Sequence, residues 1–459
     1  MRRSIGAAAW LVAAAGCVKL VAPPTADELQ QTAMPNVTLP PGWTAGGTAG
    51  SVESGWLATF DDARLQDLVA EAMTYNADLR AAAARMDQAA AYVRAAGGEL
   101  YPAINALGRG GGEMSGDGSG LEGWLVGASW ELDVWGRVRY GVRSTKEQYA
   151  SAEADYAFAR QSLAALVAKS WFLATETALQ RALLAEMVTA SSQLLQLAEE
   201  RLRVGIGSEL DVASARVSLQ TYRDSARQVE LAQVQSLRAL ELLLGRYPNA
   251  EVAVPAQFGG LASSVPAGLP SELLERRPDV IAAQKRVSAA FNRVEQARAA
   301  RLPRLSLNAS VSSLTSDLFV LEDREDPVWS IGGSILAPLF AGGALKAQVS
   351  VRTAEQNQAI AQYVQTALKA FGDVENALSS EAALQDRQTI LEIGVEQAQR
   401  ALEISETRYR VGSDDLRRVQ EQQIAYLTSR MNLIRVLTEQ RVQRVNLHLA
   451  LGGDFMADA

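Results

Sequence analysis

The sequence predicts a mainly α-helical chain with a β-barrel portion, in which long α-helical hairpins are combined with four transmembrane β-strands per chain. Three observations carry that expectation. Gly136 to Arg203 is a proline-free run of about 68 residues rich in strong helix formers, and at ~1.5 Å rise per residue it makes a rod of roughly 100 Å. Gly343 to Arg410 repeats it at the same length. After Pro102 and again after Pro303, the hydrophobic period changes from helical to alternating.

Each rod breaks at a glycine turn. The first break is Val204-Gly205-Ile206-Gly207-Ser208, where glycine can take the left-handed cap and Ser208 can cap a return helix running to about Gly245. The second reads Val411-Gly412-Ser413-Asp414, and its return helix ends at Leu451-Gly452. Arg201-Leu202-Arg203-Val204-Gly205 matches Arg408-Tyr409-Arg410-Val411-Gly412, and each turn is followed at the same spacing by a Leu-Gly pair, so the chain is a tandem duplication. In the second rod Leu384, Leu391, Val395, Ala398, Leu402 and Tyr409 fall on heptad a and d sites; in the first, Leu179, Leu183, Met187, Ala190, Leu194 and Leu197 step by three or four. Rods this long must pack side by side as coiled coils. On periodicity alone, a dimeric coiled-coil scaffold satisfies the same pattern.

The 459 residues are 48% hydrophobic and 21% charged, too polar for a helical membrane protein. The net charge of −8 argues against a nucleic-acid partner. Residues 1–16, with Arg2 and Arg3 before a short apolar stretch, read as a signal peptide. Ala14-Ala15-Gly16-Cys17 resembles the bacterial lipoprotein box, with Ala14 where leucine is usual, so Cys17, the only cysteine, is the expected lipidation site. Val18 stands where an aspartate would resemble an inner-membrane retention signal, which favours the outer membrane. Residues 17–60 form a lipid-anchored N-terminal arm, proline-rich and extended over a surface. The first repeat is 61–246, with Asp78 placed to cap a helix over 79–98 and a β-hairpin at about 102–135. A connector at 247–270 follows, expected at the equator and on the periphery. The second repeat is 271–452, with Asp279 before a helix over 280–301 and a β-hairpin at about 303–340, and 453–459 is a C-terminal tail. Asp78 to Pro102 and Asp279 to Pro303 have the same spacing, so the duplication includes these segments.

In 304–312, Leu305, Leu307, Ala309 and Val311 alternate with polar residues; in 329–339, Trp329, Ile331, Gly333, Ile335, Ala337 and Leu339 alternate with smaller or polar ones. Trp124, Val126, Ala128, Trp130, Leu132 and Val134 do the same in the first half, next to a weaker, glycine-rich partner over 103–112. The loops Ser115–Gly120 and Thr315–Asp326 join the two pairs. Ten-residue segments apolar on one face are what a transmembrane β-strand needs. Two soluble hairpins packed on the helices would bury the same face, but each hairpin runs straight into a long rod that leaves no layer to cover it. An open sheet edge cannot exist in lipid, and four strands fall short of the roughly eight with which bacterial barrels begin. Three chains would pool twelve strands, a homotrimer.

Pro266-Ala267-Gly268-Leu269-Pro270-Ser271, Leu274 and Arg276-Arg277-Pro278-Asp279-Val280 resemble the signature of the TolC-type outer membrane efflux factors, in their lipoprotein (NodT/OprM-like) branch. Trp130-Glu131-Leu132-Asp133-Val134-Trp135-Gly136-Arg137 and Pro338-Leu339-Phe340-Ala341-Gly342-Gly343 support the resemblance, as do the two hairpin turns. It covers essentially the whole mature chain. It implies a homotrimer with a twelve-stranded barrel among outer membrane lipid and a twelve-helix periplasmic tunnel. The function it implies is a passive conduit for small molecules, working with a periplasmic adaptor (membrane fusion) protein and an inner-membrane pump.

The resemblance also assigns roles to the turns. Val204, Gly205, Ile206, Gly207, Ser208, Val411, Gly412, Ser413 and Asp414 become the adaptor-contact tips, against the plain reading of ordinary helix breaks. Six and nine residues past Gly412, many members of that family carry acids that ring the closed tunnel end; here those positions are Arg418 and Glu421. With Asp414, Asp415 and Arg417 they make the expected periplasmic gate, a mixed ring in which Arg418 and Glu421 share a helix face and can pair within or between protomers. No enzymatic chemistry, cofactor or metal site is expected: His448 is the only histidine and reads as a packing or surface residue, and Gly205-x-Gly207 lacks the third glycine of a dinucleotide loop. The competing functions are a channel of the same fold for protein secretion and, in a different class, a periplasmic coiled-coil scaffold or adaptor without a barrel. An adaptor calls for one hairpin holding a lipoyl-like domain, and this chain has two hairpins.

Overall fold

The computed structural model describes residues 19–47, 50–52, 54–109, 121–261, 265–316 and 327–456. The signal peptide, Cys17 and most of both strand-joining loops lie outside the described residues. The elements are α1 (Ala26–Ala33), α2 (Ala63–Tyr75), α3 (Ala77–Gly98), β1 (Ala103–Arg109), β2 (Leu121–Leu132), α4 (Arg137–Arg203), α5 (Glu209–Leu243), α6 (Leu273–Arg276), α7 (Pro278–Ala299), β3 (Arg304–Ser316), β4 (Val328–Leu336), α8 (Ala344–Arg410) and α9 (Leu416–Leu451). Short 3-10 turns cover Trp56–Phe60 and Pro270–Glu272. The rods α4 and α8 are 67 residues each, as expected from the two proline-free runs. Among the described residues no helix is long and apolar enough to cross a membrane.

The chain divides into two compact units. One holds residues up to Val37, Ala84–Asp155 and Asp279–Thr366. Its centre is an antiparallel sheet in the order β1-β2-β3-β4, so the two hairpins join through β2 and β3. The register sets Ile104, Ala128, Ala309 and Ile331 in one row, with Ala106, Val126, Val311 and Trp329 in the next but one, all on one face. The intervening row is Asn105, Gly127, Ser310 and Ser330, and the last two hydroxyls meet at 2.6 Å. The alternation read from the residues thus becomes an apolar and a polar face, and every residue of β4 is exposed.

The Trp130 to Arg137 motif makes the strand-to-helix corner. Glu131 accepts a two-pronged bond from Arg137 at 2.8 Å, and Asp133 accepts from the backbone nitrogens of Val138 and Arg139 at 3.0 and 2.8 Å, capping α4. Trp135 Nε1 donates to the Pro303 carbonyl at 2.8 Å, tying the first hairpin to the second. Gly136 turns the corner at φ +80, where a side chain would be strained and would run into Leu20 and Tyr140.

The other unit holds Thr38–Ala83, Tyr156–Pro278 and the chain from Ala367 onward. Its largest core gathers Trp56 and Phe60 with Leu65, Leu68, Leu163, Val167, Trp171, Phe172, Leu240, Leu244, Val445 and Phe455. Smaller clusters continue along the hairpins around Leu183, Met187, Tyr222 and Ile434, and around Leu194, Ala198, Leu402, Tyr409, Leu416 and Val419. The duplication is visible in the packing. Gly245 and Gly452 both end a helix at φ +72, the one against the Tyr75 backbone and the other against Arg276 and Arg277. Arg277, in the signature segment, is buried and donates to Asp373 at 2.8 Å.

Two expectations need correcting. The arm is not extended throughout, because Thr25 and Glu28 form a capping box that starts α1. The cap of α3 is Asn76, whose Oδ1 accepts from Leu79 N at 3.0 Å, and Asp78 lies inside the first turn.

His448 is a packing residue, 4% exposed and stacked on Trp56 at 5.6 Å with a 13° interplanar angle. Burial, helped by Arg444, pushes its pKa down to about 3. Between that value and about 6.5 the unfolded chain binds a proton that the folded one does not, so this group makes stability fall as pH drops through that window. His448→Phe is expected to flatten the decline of stability between pH 6 and 4 by on the order of 3 kcal/mol, measured by denaturant unfolding at each pH. An unchanged slope would place the proton uptake elsewhere.

Candidate functional site: the hairpin turns

Both turns lie in the second unit and are built alike. In the first, Ile206 N and Gly207 N donate to the Arg201 carbonyl at 3.0 and 2.9 Å; in the second, Ser413 N donates to the Arg408 carbonyl at 2.9 Å. These are Schellman closures around Gly205 at φ +80 and Gly412 at φ +83. Gly207 is required for space, since a Cβ would sit 2.7 Å from Leu202 N. The return helices start on side-chain caps: Ser208 Oγ accepts from Asp211 N at 3.1 Å, and Asp415 Oδ1 accepts from Arg418 N at 2.9 Å. Val204, Ile206 and Val411 are exposed, an apolar tip on each turn that no described residue covers.

Within the chain, the acid of the second turn's return helix pairs with Arg417. Glu421 faces Arg417 at 4.0 Å, one helical turn away, while Arg418 uses its backbone nitrogen to complete the Asp415 cap. Arg417 and Glu421 are 81% and 56% exposed, so within one chain this pair adds little.

What joins the two turns is Arg201, which the repeat pattern alone does not single out. Its Nη1 donates to the Tyr409 carbonyl at 2.6 Å, and its guanidinium lies 4.7 Å from the centre of the Tyr409 ring. Tyr409 is 2% exposed, and burial pushes its phenol pKa up. The duplication held the available signal: Arg201 and Arg408 are equivalent, but Tyr409 replaces Leu202, so only one of the two turns offers an aromatic face.

A sheet open at both edges and paired long helical hairpins with capped, apolar-tipped turns define a channel subunit. The outer membrane efflux protein family model matches residues 68–246 and 269–453, and the chain belongs to that family, one of efflux channels and not of enzymes. It is 30% identical to the toluene efflux pump outer membrane protein TtgC of Pseudomonas putida, across 88% of this chain and 86% of that one. It is likewise 30% identical to the cation efflux system protein CusC of Escherichia coli, across 87% and 88%. The solved structure of the outer-membrane channel OprN superposes with a TM-score of 0.83 at 25% identity, covering 96% of this chain and 100% of that one. The residue-based resemblance to TolC-type channels and the fold class are therefore correct.

Proposed function

We propose that this protein is the outer membrane channel of a tripartite efflux system, a homotrimer acting as a passive conduit for small molecules. The observation that carries this reading is the four-stranded sheet, apolar on one face and unpaired at β1 and β4. In lipid both edges must be satisfied, and three copies supply a closed barrel of twelve strands. The long hairpins then line a periplasmic tunnel, and the protein does no catalysis. Relatives named for toluene and for cations are equally similar to it, which supports cargo selection by an inner-membrane pump and a periplasmic adaptor. The adaptor contact falls to Val204–Ser208 and Val411–Asp414, where exposed apolar tips await a partner. The gate falls to the start of α9, with Asp414, Asp415, Arg417, Arg418 and Glu421 repeated by the threefold axis. The segments follow: signal peptide 1–16, arm 17–60, repeats 61–246 and 271–452, connector 247–270 and tail 453–459.

Two measurements test this. Detergent-solubilised protein is expected at the mass of three chains with mixed helix and strand in the far-UV spectrum; a stable monomer that retains strand signal overturns the architecture. Cys17 is expected to carry the lipid anchor, so Cys17→Ser should abolish lipid labelling while the trimer still inserts through its barrel. An unmodified Cys17 thiol by intact mass would remove the anchor from the scheme.

A further inference from the structure

A cavity of about 560 Å³ in the second unit is walled by Leu378, Glu381, Gln385, Gln388, Gln440, Arg441 and Arg444, with the backbone of Gly259 and Gly260 closing one side. Both arginines are more than nine-tenths buried, at 7% and 5% exposure. Their circumstances differ. Arg444 forms an ion pair with Glu381. Arg441 Nη1 and Nη2 donate to the carbonyls of Leu437 and Gly259 at 2.8 and 2.6 Å, and its guanidinium lies 4.3 Å from the Phe258 ring centre. No ion pair with a carboxylate forms at Arg441 among the described residues. Burial alone lowers its pKa, to about 10.

The internal duplication shows that this polar wall belongs to one repeat only. With Gly205 set on Gly412, the positions of Glu381, Gln385, Arg441 and Arg444 correspond to Ala174, Ala178, Val234 and Leu237 in the first repeat. There Ala174 and Leu237 are part of the apolar core. The second repeat has thus exchanged apolar packing for two buried cations and only one acid. A buried guanidinium held by two carbonyls and a ring face, with no anion against it, is costly, because its net charge is not neutralised in a medium of low dielectric.

We propose that this cavity is a binding site for a small monoanionic carboxylate, which pairs with the Arg441 guanidinium. The charge count selects the class: Glu381 balances Arg444, so one positive charge is left to neutralise. The planar guanidinium suits the planar carboxylate, and Gln385 brings a neutral amide to the same wall, where Gln440 Nε2 donates to Gln388 Oε1 at 2.8 Å. The site is separate from the hairpin turns and does not depend on their proposed role in adaptor contact.

Acetate is the probe. Titrated calorimetrically into the detergent-solubilised full chain at constant ionic strength, it is expected to bind saturably, and Arg441→Gln to weaken that binding by at least about tenfold. Gln385 is exposed, so Gln385→Glu should fold normally while placing a competing carboxylate on the wall; it too is expected to lower acetate affinity. Inorganic phosphate at a pH where it is a dianion should bind more weakly than acetate. Absence of saturable acetate binding to the wild type, or equal affinity in the wild type and both variants, overturns the proposal. So does the combination of no acetate binding with a reduced oligomer mass for Arg441→Gln, which would assign the cavity to an acidic side chain of another copy.

Discussion

Arg201→Ala is expected to raise the open fraction of the channel in planar bilayers by roughly thirtyfold, the factor that corresponds to about 2 kcal/mol. A single guanidinium makes two contacts across the hairpins, the bond to the Tyr409 carbonyl at 2.6 Å and the placement over its ring at 4.7 Å. A charge-assisted hydrogen bond contributes about 1.5–3 kcal/mol and a partly shielded cation–π contact about 0.5–1 kcal/mol. Some of that is returned when water solvates the freed groups, hence the lower total. Arg201→Lys keeps the charge and loses the planar fork, so it should fall between the two. Arg418→Glu provides the comparison: if the charged start of α9 closes the tunnel across protomers, its effect should shrink with added salt, whereas the shielded Arg201 contact should respond less. Unchanged conductance in Arg201→Ala would mean that the clasp holds the turn together without governing the opening.

The second large effect is on stability. Trp171 is 1% exposed in the main core, and its Nε1 donates to Asp62 Oδ2 at 2.7 Å. The other oxygen of Asp62 accepts from Leu65 N at 3.0 Å and caps α2, so one carboxylate ties the rod α4 to the start of that helix. Trp171→Ala removes the ring, leaves a cavity and strips Asp62 of a partner, and is expected to cost about 3–5 kcal/mol. Trp171→Phe keeps most of the apolar volume and should cost about 1–2 kcal/mol, close to the value of the hydrogen bond with a small void. Denaturant unfolding followed by the helical signal measures both. Equal losses for the two variants would mean that the hydrogen bond dominates and the packing does not.

Legible in the residues alone are the two repeats, the rods and their glycine turns, and the alternating strands. These are local matters: helix propensity over 67 residues, left-handed glycine at Gly205 and Gly412, and a period of two along each strand are properties of short stretches. A hydrophobic alternation also fixed which face of the sheet is apolar, because side chains must point to opposite faces in turn. The family signature could be recognised in the same way, although its cause could not. Only the tertiary structure shows that Arg277 is buried against Asp373 and that Glu131 and Asp133 build the corner into α4. The capping box of α1 was written in Thr25 and Glu28 but masked by the surrounding prolines. The clasp of Arg201 on Tyr409 and the unbalanced charge at Arg441 depend on which side chains meet across helices far apart in sequence. Such meetings are set by the rotation of each rod about its axis, which packing decides and a repeat pattern does not specify.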